Sequence, residues 1–243
     1  MAEWRKNMKR VKLIVAYDGT NYHGWQTQPN AVTIEEVLNH HLSELLKEEI
    51  KVIGASRTDA GVHALGNVAV FDTSARMPAD KISYALNTRL PEDIRIQDSC
   101  EVPSDFHPRF QKTTKTYEYR ILNRRFPDPT RRLNSFFYYY PLDVVKMQEA
   151  SLYLVGEHDF KSFCTEKPEV TNTVRTIYSL NVIKEGDMII IRVTGNGFLY
   201  NMVRIIAGTL IRVGGGFIEP QQIKKILEAK DRTLAGETAR PEG

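Results

Sequence analysis

Cysteine is scarce in this chain: two in 243 residues, Cys100 and Cys164. No Cys-x-x-Cys pair occurs and histidine is limited to six, so neither a disulfide framework nor a structural zinc site is expected. The pair His40-His41 lies in a helical stretch, where packing or surface exposure explains it better than metal ligation. No apolar run reaches the roughly 18 residues that a membrane-spanning helix needs. Met1-Ala2-Glu3-Trp4-Arg5-Lys6 has no apolar core behind its charges, so no signal peptide is expected. There is no Walker loop. Gly214-Gly215-Gly216 follows an apolar helical run instead of opening a helix after a strand, which argues against a dinucleotide loop. Cys164 has His158 near it in sequence but nothing else of a thiol nucleophile's setting. No repeat and no low-complexity segment is evident. A soluble, cytoplasmic protein is the expectation.

What is present is a globular composition, 42% hydrophobic and 26% charged. The net charge is only +3, but the basic residues are unevenly spread. Residues 1–12 hold five basic side chains and one acidic, and residues 109–132 hold eight and two. Such patches are the footprint of a polyanion or, equally, a solvated basic face.

One stretch concentrates the chemistry: Gly54-Ala55-Ser56-Arg57-Thr58-Asp59-Ala60-Gly61-Val62-His63-Ala64. The apolar run Ile50–Ile53 precedes it and another, Val68–Phe71, follows, so strand, tight loop, strand is expected. The loop carries one carboxylate, Asp59, and one guanidinium, Arg57. By spacing alone, an Asp in such a turn is expected to hydrogen-bond its own backbone more often than to react.

The elements follow in order. Val11–Tyr17 reads as a buried strand, ended by Asp18-Gly19-Thr20. The next loop, Tyr22-His23-Gly24-Trp25-Gln26-Thr27-Gln28, offers aromatic and amide groups that suit either base and phosphate contacts or plain packing. Thr33-Ile34-Glu35-Glu36 has the form of a capping box, and apolar residues from Ile34 to Leu46 recur at helical spacing. Strand 66–74, helix 78–90 and strand 94–102 follow. The order β-α-β-β-α-β is that of ferredoxin-like and RNA-recognition modules. Composition changes near residue 105, which places a first half at 1–105 and a second at 106–243. In the second, alternation from Thr116 to Leu122 puts Tyr117, Tyr119 and Ile121 on one face of a strand. A basic loop at 123–135, an aromatic strand at 136–140, a helix at 143–155 and a loop from Gly156 to Phe163 come next. Strands at 174–183 and 188–194 are joined by a hairpin turn. A mostly apolar helix is expected over 198–213, interrupted by Arg204, whose helical neighbours include the small residues Ala207 and Gly208. A last helix follows Pro220.

The string Gly-x-x-Arg-Thr-Asp-x-Gly-Val-His at 54–63 resembles the signature loop of the TruA family of tRNA pseudouridine synthases. Tyr17-Asp18-Gly19-Thr20 and Gly24-Trp25-Gln26, Phe106-His107-x-Arg109-Phe110, Lys115-Thr116-Tyr117-Glu118-Tyr119, Asp159-Phe160-x-x-Phe163 and Phe198-Leu199-x-x-Met202-Val203-Arg204 resemble further family motifs, in family order. The resemblance implies an α+β fold of two ferredoxin-like (RRM-like) halves, joined into one continuous, mostly antiparallel sheet with a central basic cleft. It implies a homodimer that isomerises uridines of the tRNA anticodon stem-loop (positions 38–40 of tRNA) to pseudouridine by base flipping. It implies that Asp59 is catalytic, that Arg57 fills the vacated position in the RNA stack, that Tyr117 stacks on the target base, and that Arg204 pairs with Asp59. Gln26, His63, Arg109 and Lys115 are expected to contact the RNA. No metal and no cofactor is implied, since the reaction changes no redox state and cleaves no phosphate.

Three features depart from the family pattern. Gln111-Lys112 stands where small residues are commoner, and Lys115 where Arg is common. The chain ends in polar residues, Ala239-Arg240-Pro241-Glu242-Gly243, where one more short apolar strand is expected. Two other readings remain open on sequence: a non-catalytic RNA-binding module built on the same surface, and a small-molecule phosphate-binding enzyme. The second would need a glycine loop opening a helix, and none is found.

Overall fold

The computed structural model describes residues 8–111, 113–165 and 172–243. Lys112 and the basic residues Arg5 and Lys6 lie outside them. The chain divides into two compact units, Met1–Gln111 and Lys112–Gly243, each with its own apolar core. The segment 106–110, which the composition change assigns to the second half, stays with the first unit.

The first unit runs β1 (Lys9–Tyr17), α1 (Ile34–Leu46), β2 (Ile53–Gly54), β3 (Ala64–Thr73), α2 (Ala79–Asn87) and β4 (Ile94–Val102). Its sheet has the order β2-β3-β1-β4, antiparallel throughout, which is the ferredoxin-like arrangement. The predicted cap of α1 is present: Thr33 Oγ1 accepts from Glu36 N–H at 3.3 Å. Ile34, Leu38 and Leu42 then fall on the buried face. Only the end of the run 50–53 pairs as a strand. The amides of Ile50 and Val52 donate instead to Ser43 Oγ (2.9 Å) and Asn39 Oδ1 (2.8 Å) of α1, which removes them from any ladder.

The second unit runs β5 (Lys115–Asn123), β6 (Phe136–Tyr138), α3 (Val144–Leu152), β7 (Gly156–Asp159), β8 (Val174–Glu185), β9 (Met188–Gly195), α4 (Met202–Gly214) and α5 (Gln222–Ala229). The sheet order is β6-β5-β9-β8-β7. The series β5-α3-β8-β9-α4 repeats the plan of the first unit. The place next to β5 that would match β4 is taken by β6, which runs parallel to it. Where the resemblance implies one continuous sheet, the ladders of the described residues are two.

Two expectations change here. Residues 156–159 form the edge strand β7 against β8, where a loop is expected. The helix predicted from 198 begins only at Met202. Asn201 sits in the left-handed region at φ 60°, a conformation that cannot belong to an α-helix running through it. The hairpin between β8 and β9 turns at Gly186 (φ 59°), as the sequence predicts. No helix among the described residues is long and apolar enough to cross a membrane.

Candidate active site

The loop between β2 and β3 is braced by the loop that follows β1. Trp25 N–H donates to Thr58 O at 3.1 Å, and Gly61 N–H to Tyr22 O at 3.1 Å. Tyr17 Oη lies 2.7 Å from Thr58 Oγ1. Space sets the residue types. Gly24 has φ 87°, and a Cβ there would stand 2.5 Å from Thr58 O. A Cβ on Gly54 would enter the Trp25 ring, and one on Gly19 would meet Val62 O. From the β3 side, buried Asn67 closes the loop: its Oδ1 accepts from Ser56 N–H and its Nδ2 donates to Ser56 O, both at 3.1 Å. Trp25 is fully buried, so it braces the loop and is not available to stack on a base.

The result is a loop held by short-range contacts that carries Asp59 half-buried at its bend, with Arg57 exposed beside it. Asp59 O accepts from Val62 N–H at 3.1 Å, closing the turn. Gln26, exposed, accepts a long 3.4 Å hydrogen bond from Arg57 Nη1. Arg109 reaches the same place from residue 54's side, donating from Nε to Gly54 O at 2.8 Å. Partial burial and the charge of Arg57 both press the Arg109 guanidinium below its ordinary pKa, and Glu35 opposes them. Glu35 also accepts from Thr27 N–H at 2.9 Å.

His63 sits at the other end of the loop. Its Nδ1 lies 3.0 Å from Gly19 N and 3.0 Å from Asp18 Oδ1. One ring nitrogen cannot serve both. With the proton on Nε2, Nδ1 accepts from Gly19; protonated, it donates to Asp18. Burial raises the Asp18 carboxyl, but hydrogen bonds from Thr20 and the neighbouring His63 outweigh it and hold it below the usual range.

In the second unit, Tyr117, Tyr119 and Ile121 share one face of β5, as the alternation predicts. Tyr119 and Ile121 are buried, whereas Tyr117 is half-buried, edge-on to the Phe198 ring at 5.2 Å. Lys115 opens the strand opposite Gly195. Arg204 lies in the first turn of α4, half-buried, donating from Nε to Ala239 O (2.7 Å) and from Nη1 to Asn201 Oδ1 (3.2 Å). On the other face of β5, Glu118 bonds Arg192 Nε at 2.8 Å and Arg120 Nη2 at 3.0 Å.

Asp59, Arg57, Gln26, His63 and Arg109 therefore gather on one loop system of the first unit, and Tyr117, Lys115 and Arg204 belong to the second. Sequence reasoning missed the bracing role of Thr58, Asn67 and Glu35. The one available signal was Gly54, a small residue in an apolar run that has to admit a large neighbour.

His40, His41 and Glu44 bring donor atoms within 4.8 Å of one another, with His40 Nε2 already 3.6 Å from Glu44 Oε1. Cys164 Sγ faces Lys161 O (3.5 Å), and His158 Nε2 lies 3.0 Å from Val155 O. Gly214–Gly216 ends α4, with Phe217 N–H returning to Arg212 O at 2.9 Å.

A family model described as tRNA pseudouridine synthase matches residues 13–111 and 150–243. The chain is 50% identical over 236 residues to tRNA pseudouridine synthase A of Thermoanaerobacter sp. (strain X514), covering 97% of each chain. It is 50% identical over 237 residues to the protein of that name from Ruminiclostridium cellulolyticum, again covering 97% of each. Against the one from Exiguobacterium sibiricum the identity is 48% over 236 residues, 97% of this chain and 94% of the relative. The family match reaches residue 243, so the polar end of the chain lies inside it.

Proposed function

Because this chain belongs to the tRNA pseudouridine synthase family, we propose that it isomerises uridine to pseudouridine in the anticodon stem-loop of tRNA, at positions 38–40, with Asp59 as the reacting carboxylate. The bond from C1′ to N1 breaks and a bond from C1′ to C5 forms. The C5 proton leaves and N1 gains one, so atoms balance with no cofactor. Asp59 acts as nucleophile at the sugar or uracil, or as the base that takes the C5 proton.

The observation that carries the reading is the braced loop. Backbone hydrogen bonds and glycine close approach hold the segment of chain that bears the half-buried Asp59. Fixed geometry of this kind is what a reacting group needs. The target uridine leaves its stack to expose C1′ and C5. Arg57 occupies the vacated position, and Tyr117 takes the extruded base on its ring. In this reading Arg204 is the cation that keeps the Asp59 carboxylate ionised, and Gln26, His63, Arg109 and Lys115 contact the RNA. The enzyme works as a cytoplasmic homodimer that binds tRNA across both subunits.

Tritium release from tRNA labelled at uridine C5 tests this directly. Wild type releases tritium, and Asp59→Asn binds the same tRNA without release, a loss of at least about 10² to 10⁴ in rate. Undiminished release by Asp59→Asn removes Asp59 from the reaction. Tight binding with no release by either protein turns the reading to a non-catalytic RNA-binding module.

A further inference from the structure

Arg204 Nε donates to Ala239 O, and in return Ala239 N–H donates to Arg204 O at 3.1 Å. This reciprocal pair joins the first turn of α4 to a segment 35 residues later in sequence. The segment is not a loose tail. Gly236 N–H donates to Thr209 Oγ1 at 2.9 Å, and that hydroxyl donates to Ile205 O at 2.7 Å. A Cβ on Gly208 would run into Glu237 O, and one on Gly236 would meet the Thr209 backbone at 2.6 Å. Ala235 and Ala239 are buried. Further on, Tyr119 Oη donates to Arg240 O at 2.9 Å, and Gly243 lies against the Tyr119 ring. Burial in the first place, with the charge of Glu242, raises the Tyr119 phenol above its ordinary pKa, so it stays a donor at any working pH.

We propose that residues 235–243 are a positioning strap for Arg204: through the carbonyl of Ala239 they fix the direction of its guanidinium and thereby the rate of the chemical step. The chemistry is specific. A guanidinium has five donors in a rigid plane, so fixing Nε fixes where the two terminal nitrogens point. The small residues Gly208 and Gly236 exist so that the strap backbone approaches α4 closely enough to do this. The strap's catalytic consequence rests on the reading of Arg204 given above; its holding of the guanidinium does not.

The experiment compares the intact chain with one ending at Thr238 and with Tyr119→Phe. Solvent exchange of the Arg204 Nε–H, read by ¹⁵N NMR, reports the holding. It is slow in the intact chain and accelerates by about tenfold or more once Ala239 O is gone. Uridine conversion at saturating tRNA reports the consequence: kcat falls about tenfold in the shortened chain with KM within about twofold of the parent. Tyr119→Phe keeps the fold and frees only the Arg240 end, so it lowers kcat by about two- to threefold with KM again unchanged. It decides the matter if the shortened chain does not fold. Unaltered exchange in both variants overturns the strap. Accelerated exchange with unchanged kcat in both overturns its role in the reaction. Arg204→Lys, measured beside them, separates the two readings: full turnover by that variant removes Arg204 from the chemistry while leaving the exchange result standing.

Discussion

Around the Asp59 loop the contacts described above hold the chain itself: Trp25 to Thr58 and Gly61 to Tyr22 between backbones, the Asn67 amide on Ser56, and glycines where the strands of chain touch. Around Arg204 a flexible side chain is held at its tip, by a carbonyl from a distant segment and an amide side chain one turn away. A short side chain such as aspartate inherits its position from the backbone that bears it, so bracing the loop suffices. A long one such as arginine has to be fixed at its far end, at a cost in rotamer entropy of up to about 2 kcal/mol. The two halves of the proposed chemistry are thus sensitive to different kinds of damage.

The largest effect that would break this contrast is steric. Gly24→Val puts a β-branched residue at φ 87° against Thr58 O, and we expect a loss of about 3 kcal/mol or more of stability in denaturant unfolding. Gly208→Ala drives a methyl into Glu237 O and is expected to cost about 1–3 kcal/mol. The contrast predicts that Gly24→Val also displaces Asp59 and abolishes turnover, whereas Gly208→Ala leaves the Asp59 loop intact. Equal turnover in the two would show that the loop tolerates the insertion.

Next in size is Tyr117→Ala. A base stacked on an aromatic ring is worth roughly 1–3 kcal/mol, so kcat is expected to fall by about 10- to 100-fold while tRNA affinity, carried by phosphate contacts, changes little. A filter-binding titration in which affinity collapses and turnover at saturation is normal would reverse that assignment.

The smallest is Glu118→Gln, on the opposite face of the same strand. Burial raises the Glu118 carboxyl, but the hydrogen bonds and charges of Arg192 and Arg120 outweigh it and hold it below the usual range. A lowered folded pKa means stability that is present above the unfolded value of about 4.3 and is lost as pH falls through the folded value. The parent is therefore expected to exceed Glu118→Gln by about 0.5–1 kcal/mol at neutral pH, the two converging below about pH 4, with turnover unaffected. A constant gap at all pH values would show that packing, and not charge, is what Glu118 contributes.

Much of this was legible in the residues. The loop at 54–63, the capped helix before it and the alternation that puts Tyr117 beside buried Tyr119 all follow from spacing that the structure repeats. The misreadings have a shared cause: an apolar run states that residues are buried, not what their amides bond to. Ile50–Ile53 reads as a strand, yet Ser43 and Asn39 claim the N–H groups of Ile50 and Val52. Phe198–Asn201 reads as helix, yet a left-handed Asn201 separates it from α4. Trp25 suits stacking on a base or filling a core, and only the hollow at Gly54 decides for the core. The acceptor of Arg204 Nε was out of reach, since a backbone carbonyl 35 residues on leaves no mark in side-chain pattern.

The bond from Arg204 to Ala239 also bears on how the protein is made. The braces of the Asp59 loop named above, Tyr22, Trp25, Thr58 and Asn67, all lie before residue 112 and are synthesised before the second unit. The acceptor for Arg204 Nε emerges only with residue 239. A nascent chain therefore carries the named braces of the Asp59 loop long before the carbonyl that holds Arg204 Nε.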